Sequence, residues 1–206
     1  MGRKPLIDRE QLMSAAEKLL MADGYQGFTF KKLAESLGIA RSTLYEYYAN
    51  KDELIVSYML TAMEEVLVHV TEIQRHASIT IKIKKLLRLF RQYKQIPQLI
   101  QTLPFIEENK SPDIQTSLNR LWSHHEQLYD MVDAMMNEGK KEGKIRSEIQ
   151  NKVIISYLFS SVLMPNPGHL DADELAEQLS EIILHGIAVQ TDAVLTDNHR
   201  SKQTDI

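Results

Sequence analysis

The sequence predicts an all-α protein. Apolar residues recur at three- and four-residue intervals along most of its 206 residues, Gly or Pro stands between the periodic segments, and no stretch alternates convincingly with a period of two. Helices are expected at 8–22, 29–37, 41–48, 51–76, 80–95, 97–108, 112–141, 148–164 and 171–191. The breaks fall at Asp23-Gly24, Gly38, Ala49-Asn50, Ala77-Ser78, Pro97, Ser111-Pro112, Gly139 to Gly143, and Pro165-Asn166-Pro167-Gly168. Residues 192–206 lack periodicity and read as a disordered tail.

Composition narrows the function classes. The chain has no cysteine, which excludes disulfide scaffolds, thiolate zinc sites, iron–sulfur ligation and thiol nucleophiles. At 43% hydrophobic and 25% charged it is an ordinary globular sequence. No uncharged apolar run approaches the roughly 18–20 residues of a membrane span, and no apolar signal region follows Met1-Gly2-Arg3-Lys4-Pro5. A cytoplasmic protein with no membrane partner is therefore expected. The net charge of −4 argues, at face value, against nucleic acid. The charge is uneven, however. Residues 1–51 carry eight Lys/Arg and six Asp/Glu, a balance of +2, and the remaining 155 residues carry 16 against 22, or −6. A basic-leaning head on an acidic body would be repelled from DNA except through the head.

The head carries the most informative pattern. Two short helices packed steeply need a small residue at their closest approach, a turn residue that tolerates positive φ, and apolar residues that pin one on the other. Within 29–48, Ala34 supplies the small contact and Gly38 the turn. Leu33, Leu37, Ile39, Leu44 and Tyr48 fall inward, leaving Arg41, Ser42, Thr43, Tyr45 and Tyr47 outward. This is the pattern of a helix-turn-helix whose second helix, 41–48, enters a major groove, and also one that an ordinary αα-hairpin could carry. The flanking chemistry favours DNA. Thr29 is placed to cap the second helix and offer its hydroxyl to a phosphate, and Lys51 opens the fourth helix where it could meet another. Arg3 and Lys4 form a short basic arm that could reach a minor groove or a phosphate, or be incidental charge.

The run from Gly24 to Leu54 resembles the N-terminal domain of TetR-family transcriptional repressors. The family pattern is carried by Thr29, Leu33-Ala34, Leu37-Gly38-Ile39-Ala40, Ser42-Thr43-Leu44-Tyr45, Tyr47-Tyr48 and Lys51-Asp52-Glu53-Leu54. The resemblance implies DNA contacts at Thr29, Thr43, Tyr45, Tyr47 and Lys51. With Lys31, Arg41 and Ser42 these make the candidate DNA-binding set. Two positions depart from the pattern. Ala40 stands where a capping Ser is common, which weakens the N-cap by about 1 kcal/mol, and Ser42 replaces a frequent Gly.

The body must be read residue by residue. On helix 112–141, Ile114, Leu118, Leu121, His125, Leu128, Val132 and Met135 form one stripe, and Trp122, Tyr129 and Met136 an adjacent one. His125 on the apolar stripe is either a buried, singly hydrogen-bonded histidine or the polar anchor of an apolar pocket. Phe90, Tyr93, Phe105, Trp122, His125 and Tyr129 are the candidate ligand-binding residues. On the fourth helix Glu65, His69, Glu72 and His76 share a face, which a metal-responsive regulator could use and a solvated surface explains equally well. Lys82, Lys84, Lys85, Arg88, Arg91 and Lys94 surround Ile83, Leu86, Leu87 and Phe90. That is either an exposed bundle face or, in a rival reading of the protein as a membrane-surface or interaction module, a lipid-binding helix across 82–94. Segment 153–164 is apolar nearly all round. Leu175, Leu179, Ile182, Ile183, Gly186 and Ile187 form a stripe in which Gly186 would permit close approach. That surplus suggests a homodimer through 148–164 and 171–191, an arrangement that the family resemblance also implies.

Enzyme signatures are missing: the sequence has no GxSxG, no HExxH and no GxGxxG after a strand. The run Gly139 to Lys144 reads as a helix end rather than a phosphate loop. The expected architecture is thus a three-helix DNA-binding domain over 1–50 and a helical ligand-binding and dimerisation bundle over 51–191. Its partners are double-stranded operator DNA, a second copy and a small-molecule effector, with no cofactor and no assigned metal.

Overall fold

The computed structural model describes residues 7–93, 96–100, 103–107, 111–161, 163–166, 168 and 170–187. These residues hold ten helices and no strand. Arg3, Lys4 and the tail 192–206 lie outside them.

Local chemistry sets most helix ends. α1 (Arg9–Gly27) starts at Asp8, whose carboxylate accepts the Glu10 amide at 2.9 Å. The stop expected at Asp23-Gly24 is instead a kink: Gly24, at φ 64°, takes the left-handed turn and the helix resumes to Gly27. α2 (Phe30–Leu37) is capped by Thr29 and closed by Gly38, at φ 66° and ψ 29°. α3 spans only Arg41–Tyr45, shorter than the expected 41–48. Ala40 offers no side-chain cap, and the amides of Tyr47 and Tyr48 both fold back on the Leu44 carbonyl. At α4 (Lys51–Gln74), Asn50 accepts the Glu53 amide while Glu53 accepts the Ala49 amide, a reciprocal capping box.

α5 (Ile79–Gln92) is followed by two short helices where one was expected across 97–108: α6 (Ile96–Ile100) and α7 (Leu103–Glu107). Pro104 has no amide to give to the turn before it, so the segment breaks there. α8 (Pro112–Lys141) opens on a Ser111 cap with Pro112 in the first turn. α9 (Asn151–Ser161) and α10 (Ala172–Ile187) complete the chain.

α4 and α8 are the central packed pair of the body, and α10 lies along α5. Leu54, Ile55 and Met59 on α4 are fully buried and belong to one continuous core with Phe28, Leu33 and Leu44 of the head and Ile114, Val132 and Leu158 of the body. α4 therefore serves both ends of the molecule. It is long and apolar enough to span a bilayer (mean hydropathy 1.4 in its most apolar window), yet half of that window is buried inside the protein. Gly139 lets α8 come close to the start of α5, since a Cβ there would stand 2.9 Å from Ile79.

The basic face of α5 is partly covered by neighbouring helices. Lys82, only 2% exposed, pairs with Glu138 on α8 at 2.6 Å. Lys84 bonds Glu177 and Glu181, and Arg88 pairs with Asp173 at 3.3 Å, all three acids on α10. The two carboxylates hold the Lys84 ammonium above its ordinary pKa. Lys82 and Lys84 are thus taken up inside the protein, while Lys85 and Arg88 remain exposed, as on the outer face of a bundle. Gly186 is exposed, and a Cβ there would meet nothing within 4 Å in its own subunit.

Candidate functional site

The head is a helix-turn-helix built on three internal anchors. Phe28, Leu33 and Leu44 are completely buried and tie α2 and α3 to α4 through the common core. Gly38 reverses the chain, and the Ile39 amide returns to the Ala34 carbonyl at 3.1 Å. Together these hold α3 with one face outward.

That face carries Arg41, Ser42, Tyr45 and Tyr47, all exposed, with Thr29 and Lys31 exposed at the start of α2. The Thr29 hydroxyl accepts the Lys32 amide at 3.3 Å, which leaves its proton to donate to an anion. Arg41 donates to the Tyr45 hydroxyl at 2.6 Å and lies 5.2 Å from that ring's centre, and the ring meets Phe30 edge-on at 5.0 Å. Tyr45 is thus a positioned exposed side chain. Tyr47 is 42% exposed.

Two residues differ from expectation. Thr43 is buried at 9% exposure, so its side chain packs into the head instead of pointing out. It sits beside Leu44 on a helix of only five residues, whose inner face takes two consecutive positions. Lys51 donates to the Tyr25 carbonyl at 2.9 Å and places its ammonium 3.9 Å above the Tyr25 ring. It therefore joins α4 to the end of α1 as well as lying near the recognition face. The neighbouring Lys32 is held by Asp23 and the Gly27 carbonyl, and Lys31 is the more accessible of the two for a phosphate.

In the body an apolar cavity of about 310 Å³ lies between α4, α5, α6, α8 and α9. Met63, Val66, Phe90, Tyr93, Leu128 and Phe159 are among its walls, and His125 lines it too. Phe90 meets Phe159 with ring centres 4.9 Å apart, and the His125 ring lies 6.5 Å from Phe159. Three of the six candidates, Phe90, Tyr93 and His125, are thus brought together. The other three are not. Trp122 is 41% exposed and touches His125 edge-on from outside, and Tyr129 is half-buried in the core away from the cavity. Phe105 is 50% exposed and stacks on Tyr25 at 5.7 Å, where the body meets the head. Sequence reading missed Met63, Val66 and Phe159. The first two lie on the apolar stripe of α4, whose opposite face had drawn attention through its His and Glu.

The Tyr93 hydroxyl donates to Glu65 at 2.9 Å. Burial raises its pKa to about 12, with the Glu65 hydrogen bond and the charges of Glu65 and Glu17 adding to the effect. Glu72 is taken by Arg75 through both oxygens. The Glu65, His69, Glu72 and His76 face therefore does not converge, and among the described residues no group of three or more His, Asp or Glu could hold a metal ion.

Residues 12–58 match the family model described as bacterial regulatory proteins, tetR family. The HTH-type transcriptional repressor AcnR of Corynebacterium efficiens is 22% identical over 184 residues, covering 88% of this chain and 92% of that protein. The ketosteroid transcriptional regulator KstR2 of Mycobacterium tuberculosis superposes with a TM-score of 0.70 at 18% identity, over 90% of this chain and 98% of that one. FadR from Bacillus subtilis, in complex with stearoyl-CoA, superposes with a TM-score of 0.62 at 18% identity, over 87% and 100%. Residues 12–58, the helix-turn-helix head, thus match the tetR family of bacterial regulatory proteins, a family of DNA-binding transcriptional regulators, and the whole chain shares the helical fold of such regulators.

Proposed function

We propose that the protein is a cytoplasmic, homodimeric repressor that binds a near-palindromic operator and is released by a small hydrophobic effector. The observation that carries this reading is the exposed Arg41, Ser42, Tyr45 and Tyr47 face on a helix-turn-helix, in the same molecule as an apolar cavity. Residues 1–50 form the reading head, 51–191 the effector and dimer body, and 192–206 a tail.

Each head places α3 in a major groove, with Arg41, Ser42, Tyr45 and Tyr47 toward base edges and Thr29, Lys31 and Lys51 toward phosphates. Two heads spaced about one helical turn or slightly more, roughly 34–40 Å, read the two half-sites. Val153, Tyr157, Leu163, Met164 and Ile182, the exposed apolar residues of α9, α10 and the turn between them, support a subunit interface there. The repressor name of AcnR supports the direction of regulation, and the stearoyl-CoA held by FadR supports an apolar effector. An effector in the cavity touches α4 at Met63 and Val66, and α4 begins at Lys51 under the head. An effector-induced movement of α4 would therefore change the spacing of the heads, with a coupling of about 1–3 kcal/mol.

Footprinting the protein on DNA flanking its own coding region, with and without candidate compounds, tests this. A symmetric protected site that is lost on adding an apolar compound is the expected result. Absence of any protected site there, with equal affinity for unrelated DNA, would overturn the repressor reading.

A further inference from the structure

We propose that Arg41 is a positioning residue for Tyr45: its guanidinium holds the phenol so that the hydroxyl meets DNA as a hydrogen-bond donor and not as an acceptor. This rests on the reading of α3 as the DNA-reading helix and assigns how one of its side chains reads.

Arg41 and Tyr45 are the first and last residues of α3, which is little more than a single turn. At this separation two side chains on a helix stand one above the other, and Thr43 and Leu44 between them are buried. The Tyr45 ring meets the buried Phe30 ring edge-on, with centres 5.0 Å apart. The Arg41 guanidinium lies 5.2 Å from the centre of the same Tyr45 ring and donates to its phenolic oxygen at 2.6 Å. Tyr45 is 47% exposed, yet it is held both from α2 and from the start of its own helix.

The valence of the hydroxyl carries the inference. A phenol gives one proton and accepts through its oxygen, and here the accepting side is taken by a guanidinium, which can only donate. What Tyr45 still offers outward is its proton. On DNA that proton fits a phosphate oxygen, or an acceptor on the major-groove edge: guanine N7 and O6, adenine N7 or thymine O4. The amino groups of adenine and cytosine find no free lone pair. Without Arg41 the phenol would turn more freely and would accept as readily as it donates. The guanidinium therefore supplies order before binding and also the polarity of the contact.

The test is a double-mutant cycle on the full chain, read by fluorescence anisotropy with duplexes that the parent protein selects from a random pool. Its members are the parent, Arg41→Met, Tyr45→Phe and the double variant, where Met keeps an apolar stem over the ring and deletes the donors. Arg41→Met is expected to weaken binding about fivefold more in the parent than in the Tyr45→Phe background. The lost charge is common to both backgrounds and cancels in that comparison. Repeating the selection with Tyr45→Phe separates the two kinds of acceptor. A preference relaxed at one position of each half-site identifies a base edge, and an unchanged sequence with uniformly weaker binding identifies a phosphate. Equal losses for Arg41→Met in both backgrounds overturn the positioning role and leave Arg41 as an independent contact. Unchanged melting temperatures are expected; a loss of stability in Arg41→Met would mean that the pair only holds α3 together, and overturns the role as well. If the parent enriches no sequence at all, the DNA-reading proposal itself fails.

Discussion

The Phe105 ring stacks on Tyr25, with centres 5.7 Å apart and planes within 17° of each other. This contact links α7 to the last turn of α1, and the Tyr25 hydroxyl donates in turn to Asp52, at 2.8 Å, in the first turn of α4. On the other side of Phe105 the chain leads within a few residues to Ile96, Pro97 and Ile100 of α6, which wall the cavity. The cavity wall at α6 and the start of α4 are thus joined by the chain from α6 to α7 and by the Phe105–Tyr25 and Tyr25–Asp52 contacts. Phe105→Ala is expected to leave operator affinity within about threefold and to raise the effector concentration needed for release by about five- to tenfold, consistent with loss of part of a 1–3 kcal/mol coupling. Operator binding titrated at a series of effector concentrations measures both. Release at unchanged effector concentration would remove Phe105 from the path.

The recognition face makes a second, graded prediction. Tyr47→Ala removes an exposed aromatic that supports nothing in the core, so operator affinity should fall about tenfold with the melting temperature unchanged. Thr43→Val should behave in the opposite way to a contact residue: its side chain is buried, and both affinity and stability should stay within about twofold. Lys51→Ala should lower affinity and reduce the salt dependence of binding by about one counterion, while also loosening Tyr25. Fluorescence anisotropy at several salt concentrations separates these three outcomes.

Thr43 also marks the limit of what sequence could reveal. The turn at Gly38, the Thr29 cap, the Ala34 contact and eight of the nine expected helices follow from local chemistry, and local chemistry is written in consecutive residues. The facing of a five-residue helix is decided by how it rests on α2 and α4, so Thr43 was misplaced. The cavity shows the same division. Phe90, Tyr93 and His125 belong to apolar stripes that must face the body's interior, but whether a stripe lines a void or packs solid depends on four other helices. Phe105 and Trp122 have the same residue chemistry as true wall residues and differ only in where α7 and α8 carry them. Pro104, by contrast, is legible as a helix break from its missing amide alone.

The hydroxyl of Tyr93 should titrate well above the ordinary tyrosine value. Burial and its hydrogen bond to Glu65 favour the neutral phenol, raising the pKa from 10.0 to about 12. The folded state therefore keeps a proton that the unfolded chain gives up. The associated stability is fully present below about pH 10 and is lost between about pH 10 and 12. Ultraviolet difference spectra should show one phenolate forming near pH 12, and Tyr93→Phe should remove it. Glu65→Gln should lower it only in part, since burial, the largest cause, and the Glu17 charge remain. A late phenolate that persists in Tyr93→Phe would refute the assignment.

Lys82 and Glu138 present a buried ammonium against a half-exposed carboxylate, 2.6 Å apart. Removing the carboxylate strands the ammonium between α5 and α8. Glu138→Ala is therefore expected to cost about 1–3 kcal/mol, below the full value for a buried pair because water reaches Glu138. Lys82→Met, which keeps the stem and deletes the charge, should lie within about 1 kcal/mol of the parent. Urea unfolding of the two variants measures the difference. Equal losses in both would mean that the attraction itself, and not the stranded charge, sets the energy.

The surface of α9 makes the last prediction. Ile154, Ile155 and Leu158 face the core, while Val153 and Tyr157, one turn apart, are 56% and 50% exposed. Leu163 and Met164 extend this apolar strip past the helix end, and Ile182 on α10 is 60% exposed. In the proposed dimer the outer apolar residues, which gain nothing within their own subunit, are buried by a second copy. Two-fold pairing places each Tyr157 in the neighbourhood of the same element of the partner, so one substitution acts twice. Tyr157→Glu is expected to shift the protein from dimer to monomer in analytical ultracentrifugation while leaving helicity intact, and to lower operator affinity at least as much as Tyr47→Ala. The operator loss follows because an isolated head holds one half-site without the effective concentration that its partner supplies. Tyr47→Ala should leave the dimer untouched, so sedimentation separates the two causes of weak binding. A Tyr157→Glu protein that sediments as the parent does would place the interface on another face.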